Sequence, residues 1–221
     1  MNDLRNDQSS DGRVPHVIPD CLFNGGEPSA LWTDVVCFLP WTLYEMYGDE
    51  TFLEDNLNAM KLYLGALENR MEDGLLIKGQ IYGDWLALDN EVVFKDEAIG
   101  RTNKLYLGNV FYLADCKIIA SASKILGDDE AYKLYMDKYN YSLAKVREEY
   151  FNVKGKLMID TITAEVLALH FNIVPENNRK ELAGILAENV KRRKYHVTAG
   201  FIVLITVPVI YVTTLYIGKF I

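Results

Sequence analysis

The chain has 221 residues, half of them hydrophobic and about a quarter charged, which is the composition of a folded globular protein and not of a disordered one. Its net charge is −8 and its basic run is the short KRRK at 191–194, so the sequence argues against nucleic acid as a partner. Residues 1–13 are polar and lack the apolar stretch of a signal peptide. The chain as it stands would be cytoplasmic, but the sequence leaves its localisation open.

Neither the cysteines nor the histidines are spaced like the ligands of a metal site. The three cysteines are widely separated, and Cys37 and Cys116 lie in apolar helical context, which favours buried free thiols over disulfide partners. His16, His170 and His196 are too scattered along the chain to suggest a metal centre. The sequence therefore predicts no metal and no cofactor.

The first half of the chain predicts two helices after an extended N-terminal segment. In the first, apolar residues recur at steps of three and four. Ser29 is a candidate N-cap for it, Pro40 should kink it and Gly48 should end it. The second is predicted over 51–71, where six apolar residues alternate steps of four and three and form one stripe.

Four further helices are predicted after an irregular segment at 79–94. They are a long helix that opens at Thr102 and stops at Gly127, a helix capped by Asp128 or Asp129, and two shorter helices over 163–171 and 177–191. Six helices in sequence, with no convincing strand pair, predict an all-α array of helical hairpins. Periodicity alone does not distinguish a small bundle from half of a larger closed toroid.

The C-terminal segment departs from this pattern. Residues 195–218 contain no charged side chain and directly follow the basic run. By length they qualify as a transmembrane candidate, with the basic residues on the side expected to stay cytoplasmic. However, Val, Ile and Thr dominate the segment and Pro208 lies near its centre, which argues against a membrane helix.

Two short stretches place a carboxylate within two residues of a tryptophan: Trp32 with Asp34, and Trp85 with Asp84. An indole face can cover the apolar C–H face of a pyranose, while a carboxylate accepts hydrogen bonds from its hydroxyl groups. The pattern suggests a carbohydrate pocket. The alternatives are that both tryptophans are core residues, that Asp34 faces a helix N-terminus, and that Asp84 forms an Asx-turn.

Several motifs, read in order, resemble the catalytic domain of bacterial α-L-rhamnosidases, which are six-hairpin glycosidases with an (α/α)6 toroid. They are DGRVPHVIPD, WTD, PWTLYEMYGD, MKLYL and GDWLALD, followed later by TITAEVLALHFNIVPE and HVTAGFI. The order and spacing of the motifs are more specific than any one of them. The resemblance covers residues 11 to about 202.

This resemblance implies a partial (α/α)6 toroid and an inverting hydrolysis of terminal α-L-rhamnosyl units. Such chemistry needs one carboxylic acid to protonate the leaving oxygen and one carboxylate to activate water. The resemblance places the acid upstream of this chain and the base downstream, so it assigns no catalytic residue here. It implies that Trp32, Asp34 and Trp85 line the sugar pocket with Asp84 adjacent, and that the partner is a rhamnose-containing carbohydrate.

The motif match divides the chain into 1–194, a partial six-hairpin catalytic domain, and 195–221, an aberrant apolar tail. Because the resemblance stops after HVTAGFI, we expect the tail to be a frameshift or truncation product, with a membrane segment as the alternative. We therefore expect a fragment that is inactive alone. The alternative is a membrane-tethered helical module that binds carbohydrate or another partner. Inner-helix faces left uncovered should promote self-association.

Overall fold

The computed structural model describes residues 1–21, 29–79, 82–89, 99–196 and 198–202, and these are mainly helical. The α-helices are α1 (Asn2–Asp7), α2 (Val35–Tyr47), α3 (Thr51–Glu54), α4 (Leu57–Glu68), α5 (Lys104–Ile125), α6 (Asp129–Tyr150), α7 (Ile162–His170) and α8 (Arg179–Arg192). A short hairpin joins β1 (Met71–Glu72) to β2 (Leu75–Leu76), and a 3-10 turn, Glu176–Asn178, precedes α8. The predicted all-α class is confirmed.

The chain forms two compact units. Unit 1 contains Met1–Ile81 and Phe111–Lys145, and unit 2 contains Tyr82–Val110 and Val146–Ile221. One boundary along the chain lies between Ile81 and Tyr82, and the other two fall inside α5 and α6. The chain leaves unit 2 within α5 and returns to it within α6.

Each unit has its own apolar core. The largest fully buried side chains of unit 1 are Leu53, Met60, Tyr63, Leu64, Leu67, Phe111, Leu113 and Ile119. Those of unit 2 are Tyr106, Leu107, Leu167 and Leu169. Burying one such apolar side chain stabilises the fold by about 1.5–3 kcal/mol, so these residues fix the helices that carry the site.

The predicted end of α2 is confirmed, but its predicted start is not. Gly48 ends the helix with φ +67°, the left-handed conformation in which its N–H reaches the Tyr44 carbonyl. The N-cap position is occupied by Asp34 and not by Ser29. A turn intervenes, since the Ser29 carbonyl accepts hydrogen bonds from the backbone N–H groups of Trp32 and Thr33.

The single helix predicted over 51–71 is two helices, α3 and α4, separated at Asp55 and Asn56. The Asn56 side-chain amide donates to the Phe52 carbonyl (2.8 Å), and Arg5 donates to the Asp55 carbonyl (2.9 Å). Side chains that bond the local backbone in this way compete with helix continuation. Four residues of the predicted apolar stripe are buried, Leu53, Met60, Leu64 and Leu67, whereas Leu57 and Met71 are partly exposed.

The prediction that the chain lacks a strand pair is wrong. β1 and β2 are antiparallel, with Met71 opposite Leu76 and Glu72 opposite Leu75. The connecting Asp73 and Gly74 both have positive φ, at 46° and 81°, as a tight two-residue hairpin requires. Strands of two residues are too short to produce an alternating sequence pattern.

The helices of the second half agree with the predictions to within two residues at the ends that were assigned. Asp128 caps α6, since its side chain accepts from the Ala131 N–H (2.9 Å). Thr161 caps α7 in the same way through the Ala164 N–H (3.2 Å). The helix predicted from 177 begins at Arg179, after the 3-10 turn, and α8 packs against α7.

Within the described ranges, no helix is both long enough and apolar enough to cross a membrane. The apolar tail is described only up to residue 202, with residue 197 also left out. The predictions for 195–221, a membrane segment or a frameshift or truncation product, therefore lie largely outside the described residues. So does the part of the predicted irregular segment at 90–94.

Candidate functional site

Trp32 and Asp34 lie in unit 1, in the turn that leads into α2. The Trp32 indole is partly exposed, whereas Asp34 is only 2% exposed. The Asp34 carboxylate accepts hydrogen bonds from the Tyr63 hydroxyl (3.0 Å) and from the Leu31 backbone N–H. Its carboxylate is therefore held inside the unit, while the neighbouring indole reaches the surface.

A second buried carboxyl group, Asp115 on α5, faces Asp34 in the interior of unit 1. Asp115 is completely buried, and neither of its carboxyl oxygens has a hydrogen-bond partner of normal geometry among the described residues. Burial raises the pKa of Asp115 well above its ordinary value, and the negative charge of Asp34 raises it further. Burial also raises the pKa of Asp34, opposed by its interactions with Asp115, Tyr63 and Leu31.

The two carboxyl groups differ in their hydrogen bonds, and this difference indicates which of them carries the negative charge. Asp34 has hydrogen-bond donors and Asp115 has none of normal geometry among the described residues. Two buried carboxylates cannot both ionise at low cost, so the first proton to leave comes from Asp34 and Asp115 keeps its own. The sequence analysis missed Asp115, although a lone acidic residue within the apolar run of α5 was a visible signal.

The thiols near this pair behave as buried hydrophobic groups. Cys37 and Cys116 are free and buried, as predicted, and Cys21 is free and exposed. Burial raises the pKa of the Cys37 thiol, and the carboxyls of Asp115 and Asp34 raise it further. Burial likewise raises the pKa of the Cys116 thiol, so Cys37 and Cys116 stay protonated and are poor nucleophiles near neutral pH.

Asp84 and Trp85 lie in unit 2, on the loop of residues 82–89. Asp84 is completely buried, and its Oδ2 accepts hydrogen bonds from the Thr163 hydroxyl (2.5 Å) and the Gly200 N–H (3.3 Å). Burial raises the pKa of Asp84 to about 6, with a smaller contribution from the negative charge of Asp89. The predicted Asx-turn alternative does not describe these contacts, because both donors are distant in sequence.

Trp85 is partly exposed, and both its ring and its backbone are held by neighbours. The indole packs edge-on against Tyr82, with ring centroids 6.1 Å apart. Its backbone pairs with Ile99 in an antiparallel bridge, and its carbonyl accepts from the Phe201 N–H (2.7 Å). A partly exposed aromatic face on a fixed backbone is suited to stacking on a sugar ring.

The structure thus pairs Trp32 with Asp34 in one unit and Trp85 with Asp84 in the other. In each pair the indole is partly exposed and the carboxyl is buried. The expectation that all four residues border one cleft stays a prediction. So does a role for either carboxylate as a direct acceptor for sugar hydroxyl groups.

One more buried carboxyl group lies in unit 2, between α7 and α8. Glu165 is 2% exposed, and its Oε1 accepts from the Asn189 side-chain amide (2.5 Å). Burial raises its pKa to about 7. The sequence analysis did not assign it a role, and its position between two packed helices marks it as structural.

Comparison with known proteins identifies the family. Residues 1–214 match the family model described as the bacterial α-L-rhamnosidase six-hairpin glycosidase domain. The chain belongs to this family. The α-L-rhamnosidase of Streptomyces avermitilis is 32% identical over 200 residues, covering 90% of this chain and 18% of the relative. That of Formosa agariphila is 30% identical over 204 residues, covering 91% and 21%.

Solved structures of this family share the fold. The crystal structure of Streptomyces avermitilis α-L-rhamnosidase complexed with L-rhamnose superposes with a TM-score of 0.83 at 31% identity, over 96% of this chain and 19% of that one. The native α-L-rhamnosidase of Aspergillus terreus gives 0.87 at 25% identity, over 97% and 25%. The predicted six-hairpin glycosidase fold is confirmed, and the chain spans about a fifth of the length of the curated relatives it matches.

The family match is wider than the range of 11–202 predicted from the motifs. It begins at residue 1 and continues to 214. The expectation that the resemblance stops after HVTAGFI is therefore wrong for residues 203–214. The assignment of 195–221 as a separate segment stays a prediction.

Proposed function

We propose that this chain supplies part of the rhamnose-binding wall of an inverting α-L-rhamnosidase. The observation that carries the proposal is the pairing, in each unit, of a partly exposed indole with a buried carboxyl group. Membership of the α-L-rhamnosidase family supports rhamnose-containing carbohydrate as the partner class. The related Streptomyces avermitilis enzyme has been solved in complex with L-rhamnose.

The two indoles are assigned the sugar contacts. Rhamnose is a 6-deoxy sugar, so its methyl group and C–H face present an apolar surface that an aromatic ring can cover. Trp32 and Trp85 offer such rings at the surfaces of their units. Asp34 and Asp84 stay within the proposed wall, where their burial favours support of the tryptophan segments over direct contact with hydroxyl groups.

Hydrolysis is not assigned to this chain alone. Inverting cleavage needs a general acid and a general base on opposite faces of the sugar, with room for a water molecule between the base and the anomeric carbon. The family resemblance places both groups outside these 221 residues. The chain is therefore proposed to bind the rhamnosyl unit and to leave the glycosidic bond intact.

The membrane-tethered alternative receives no support from the described residues. Among them no helix could span a membrane, and most of the segment on which the alternative depends, 195–221, lies outside them. Self-association through inner-helix faces likewise stays a prediction. Sedimentation of the chain over a range of concentrations measures it directly.

Replacing Trp85 by alanine should weaken L-rhamnose binding about tenfold, which corresponds to about 1.4 kcal/mol and is the scale of one lost aromatic stacking contact. Trp32→Ala should have a similar effect. Isothermal titration calorimetry with L-rhamnose measures both. Trp41→Ala is the control, since Trp41 is also partly exposed but lies within α2, where its ring packs on Tyr44.

L-Mannose is the matched ligand control, because it differs from L-rhamnose by one hydroxyl group on C6. The proposal predicts weaker binding of L-mannose, since the aromatic surface must then accept a polar group. Equal affinities of the native chain and both tryptophan variants for L-rhamnose would contradict the proposed function.

A further inference from the structure

The loop of residues 82–89 is tied to two other segments of unit 2 by its backbone. Its bonds to other described residues include Gly100 N–H to the Asp84 carbonyl (2.8 Å), Leu88 N–H to the Thr198 carbonyl (3.0 Å) and Phe201 N–H to the Trp85 carbonyl (2.7 Å). These bonds hold the loop at Asp84 and Trp85 in its first half and at Leu88 near its end. None of these bonds reaches α7.

The Asp84 side chain supplies that missing connection. Its Oδ2 accepts from Thr163, in the first turn of α7, and from the Gly200 N–H. One oxygen atom therefore joins the loop, a helix N-terminus and the segment 198–202. The positive end of the α7 dipole lies on the same side and favours a carboxylate there.

The packing around this junction leaves no room for extra atoms. A Cβ on Gly200 would lie 2.3 Å from Asp84 Oδ1 and 2.4 Å from the Trp85 carbonyl oxygen. A Cβ on Gly100 would lie 2.4 Å from the Cβ of Ala87. Two glycines thus permit two backbone segments to approach the loop on either side of Trp85.

We propose that Asp84 is a positioning residue that fixes the Trp85 indole by anchoring its loop to α7 through Thr163. Asp84 is completely buried and both hydrogen bonds to its Oδ2 come from protein groups. Trp85 follows it directly in the chain and is the partly exposed member of the pair. Through these bonds the carboxyl group would act on a bound sugar by way of the indole.

This inference rests on the proposed function, in which the Trp85 indole contacts the sugar. A stacking ring contributes most when its plane is already fixed before the ligand arrives, because less rotamer freedom is then lost on binding. A loosened loop would keep the indole but not its orientation. Loss of Asp84 should therefore weaken rhamnose binding without removing any sugar-contacting atom.

Fluorine NMR of the chain labelled with 5-fluorotryptophan tests the anchor without any ligand. The chain contains three tryptophans, so three signals are expected, assigned by single Trp→Phe variants. Asp84→Ala and Thr163→Val should each shift or broaden the Trp85 signal by more than its native linewidth. The signals of Trp32 and Trp41, which belong to unit 1, should not move.

Conservative replacements that keep the hydrogen bonds serve as controls for these two variants. Asp84→Asn keeps one oxygen that accepts from Thr163 and Gly200, and Thr163→Ser keeps the hydroxyl donor, so both should restore the native Trp85 signal. Gly200→Ala should also disturb the Trp85 signal, because the added Cβ would collide with the Trp85 carbonyl oxygen and with Asp84 Oδ1. Gly184→Ala in α8 is its control, because a Cβ there meets nothing within 4 Å.

A purely structural role for Asp84 predicts a different result. Asp84→Ala and Thr163→Val would then lower the melting temperature but leave the Trp85 signal of the folded state at its native position, and this would overturn the proposal. Titration of the native sample with L-rhamnose tests the proposed function separately from the anchoring of the loop by Asp84. A Trp85 signal that responds to Asp84→Ala but never to the sugar would refute the proposed function and keep the anchor.

Discussion

Replacing Asp115 by asparagine should raise the free energy of unfolding of the chain at pH 7.5 by about 1–3 kcal/mol, the scale of an unsatisfied buried polar group. Asp115 is completely buried, faces Asp34 and has no hydrogen-bond donor of normal geometry among the described residues. An asparagine amide carries no charge and can donate to the Asp34 carboxylate. Asp115 must take up a proton on folding at pH 7.5, whereas asparagine is neutral in both states, so the substitution removes that cost.

The gain in stability from Asp115→Asn should grow as the pH rises. The pKa of Asp115 in the fold lies well above its ordinary value of 3.8, so the protonated group contributes stability that is fully present below about pH 3.8. That contribution is lost as the pH rises through the pKa of the folded state. The native chain should thus lose stability from about pH 4 upward, and the variant should lose less.

Urea unfolding followed by circular dichroism at pH 4.5, 6.0, 7.5 and 8.5 measures this difference. The matched control is Asp137→Asn, the same substitution at an exposed position of α6. Its curve should parallel that of the native chain. A stability gain that is the same at every pH, or a loss at pH 7.5, would show that Asp115 is not the protonated member of the pair.

Replacing Tyr63 by phenylalanine should have the opposite sign at the same cluster. The Tyr63 hydroxyl donates to Asp34 (3.0 Å) and hydrogen-bonds with Thr33 (2.8 Å), and the side chain is completely buried. A hydrogen bond to a charged group contributes about 1.5–3 kcal/mol, so Tyr63→Phe should destabilise the chain by about that amount at pH 7.5. The loss should be smaller at pH 4.5, where Asp34 carries less charge.

Tyr106→Phe is the control for Tyr63→Phe. Tyr106 is equally buried, but its hydroxyl donates to the neutral carbonyl of Ala164 (2.9 Å). Its removal should destabilise the chain by about 1 kcal/mol, independently of pH over the acidic range. The same urea titrations compare the two variants. Equal losses at pH 7.5, or no pH dependence for Tyr63→Phe, would argue against a charged Asp34.

The elements that sequence reasoning predicted well are those encoded by adjacent residues. Gly48 ends α2 and Asp128 caps α6 because each acts within one helical turn. The break between α3 and α4 is stabilised in part by Arg5, which lies 50 residues before the Asp55 carbonyl it bonds. Such a partner is invisible to a periodic pattern.

The candidate site shows the same division. The Trp–carboxylate pairs were visible in the sequence, but the environment of each carboxyl was not. Asp84 accepts hydrogen bonds from Thr163 and Gly200, which lie 79 and 116 residues after it in the sequence. Asp34 meets Asp115 and Tyr63 on two other helices. Burial of these acids is a property of the tertiary fold, and it changes their expected role.

The chain is proposed to bind a terminal α-L-rhamnosyl unit through its tryptophans and not to cleave it. Saturation-transfer difference NMR of the 221-residue chain with p-nitrophenyl α-L-rhamnoside reports both parts of this claim in one sample. We expect saturation of the rhamnosyl methyl and ring protons, and no anomeric signal of free rhamnose above that of the buffer control. Release of free rhamnose by the chain, or the absence of any saturation of the sugar protons, would contradict the account.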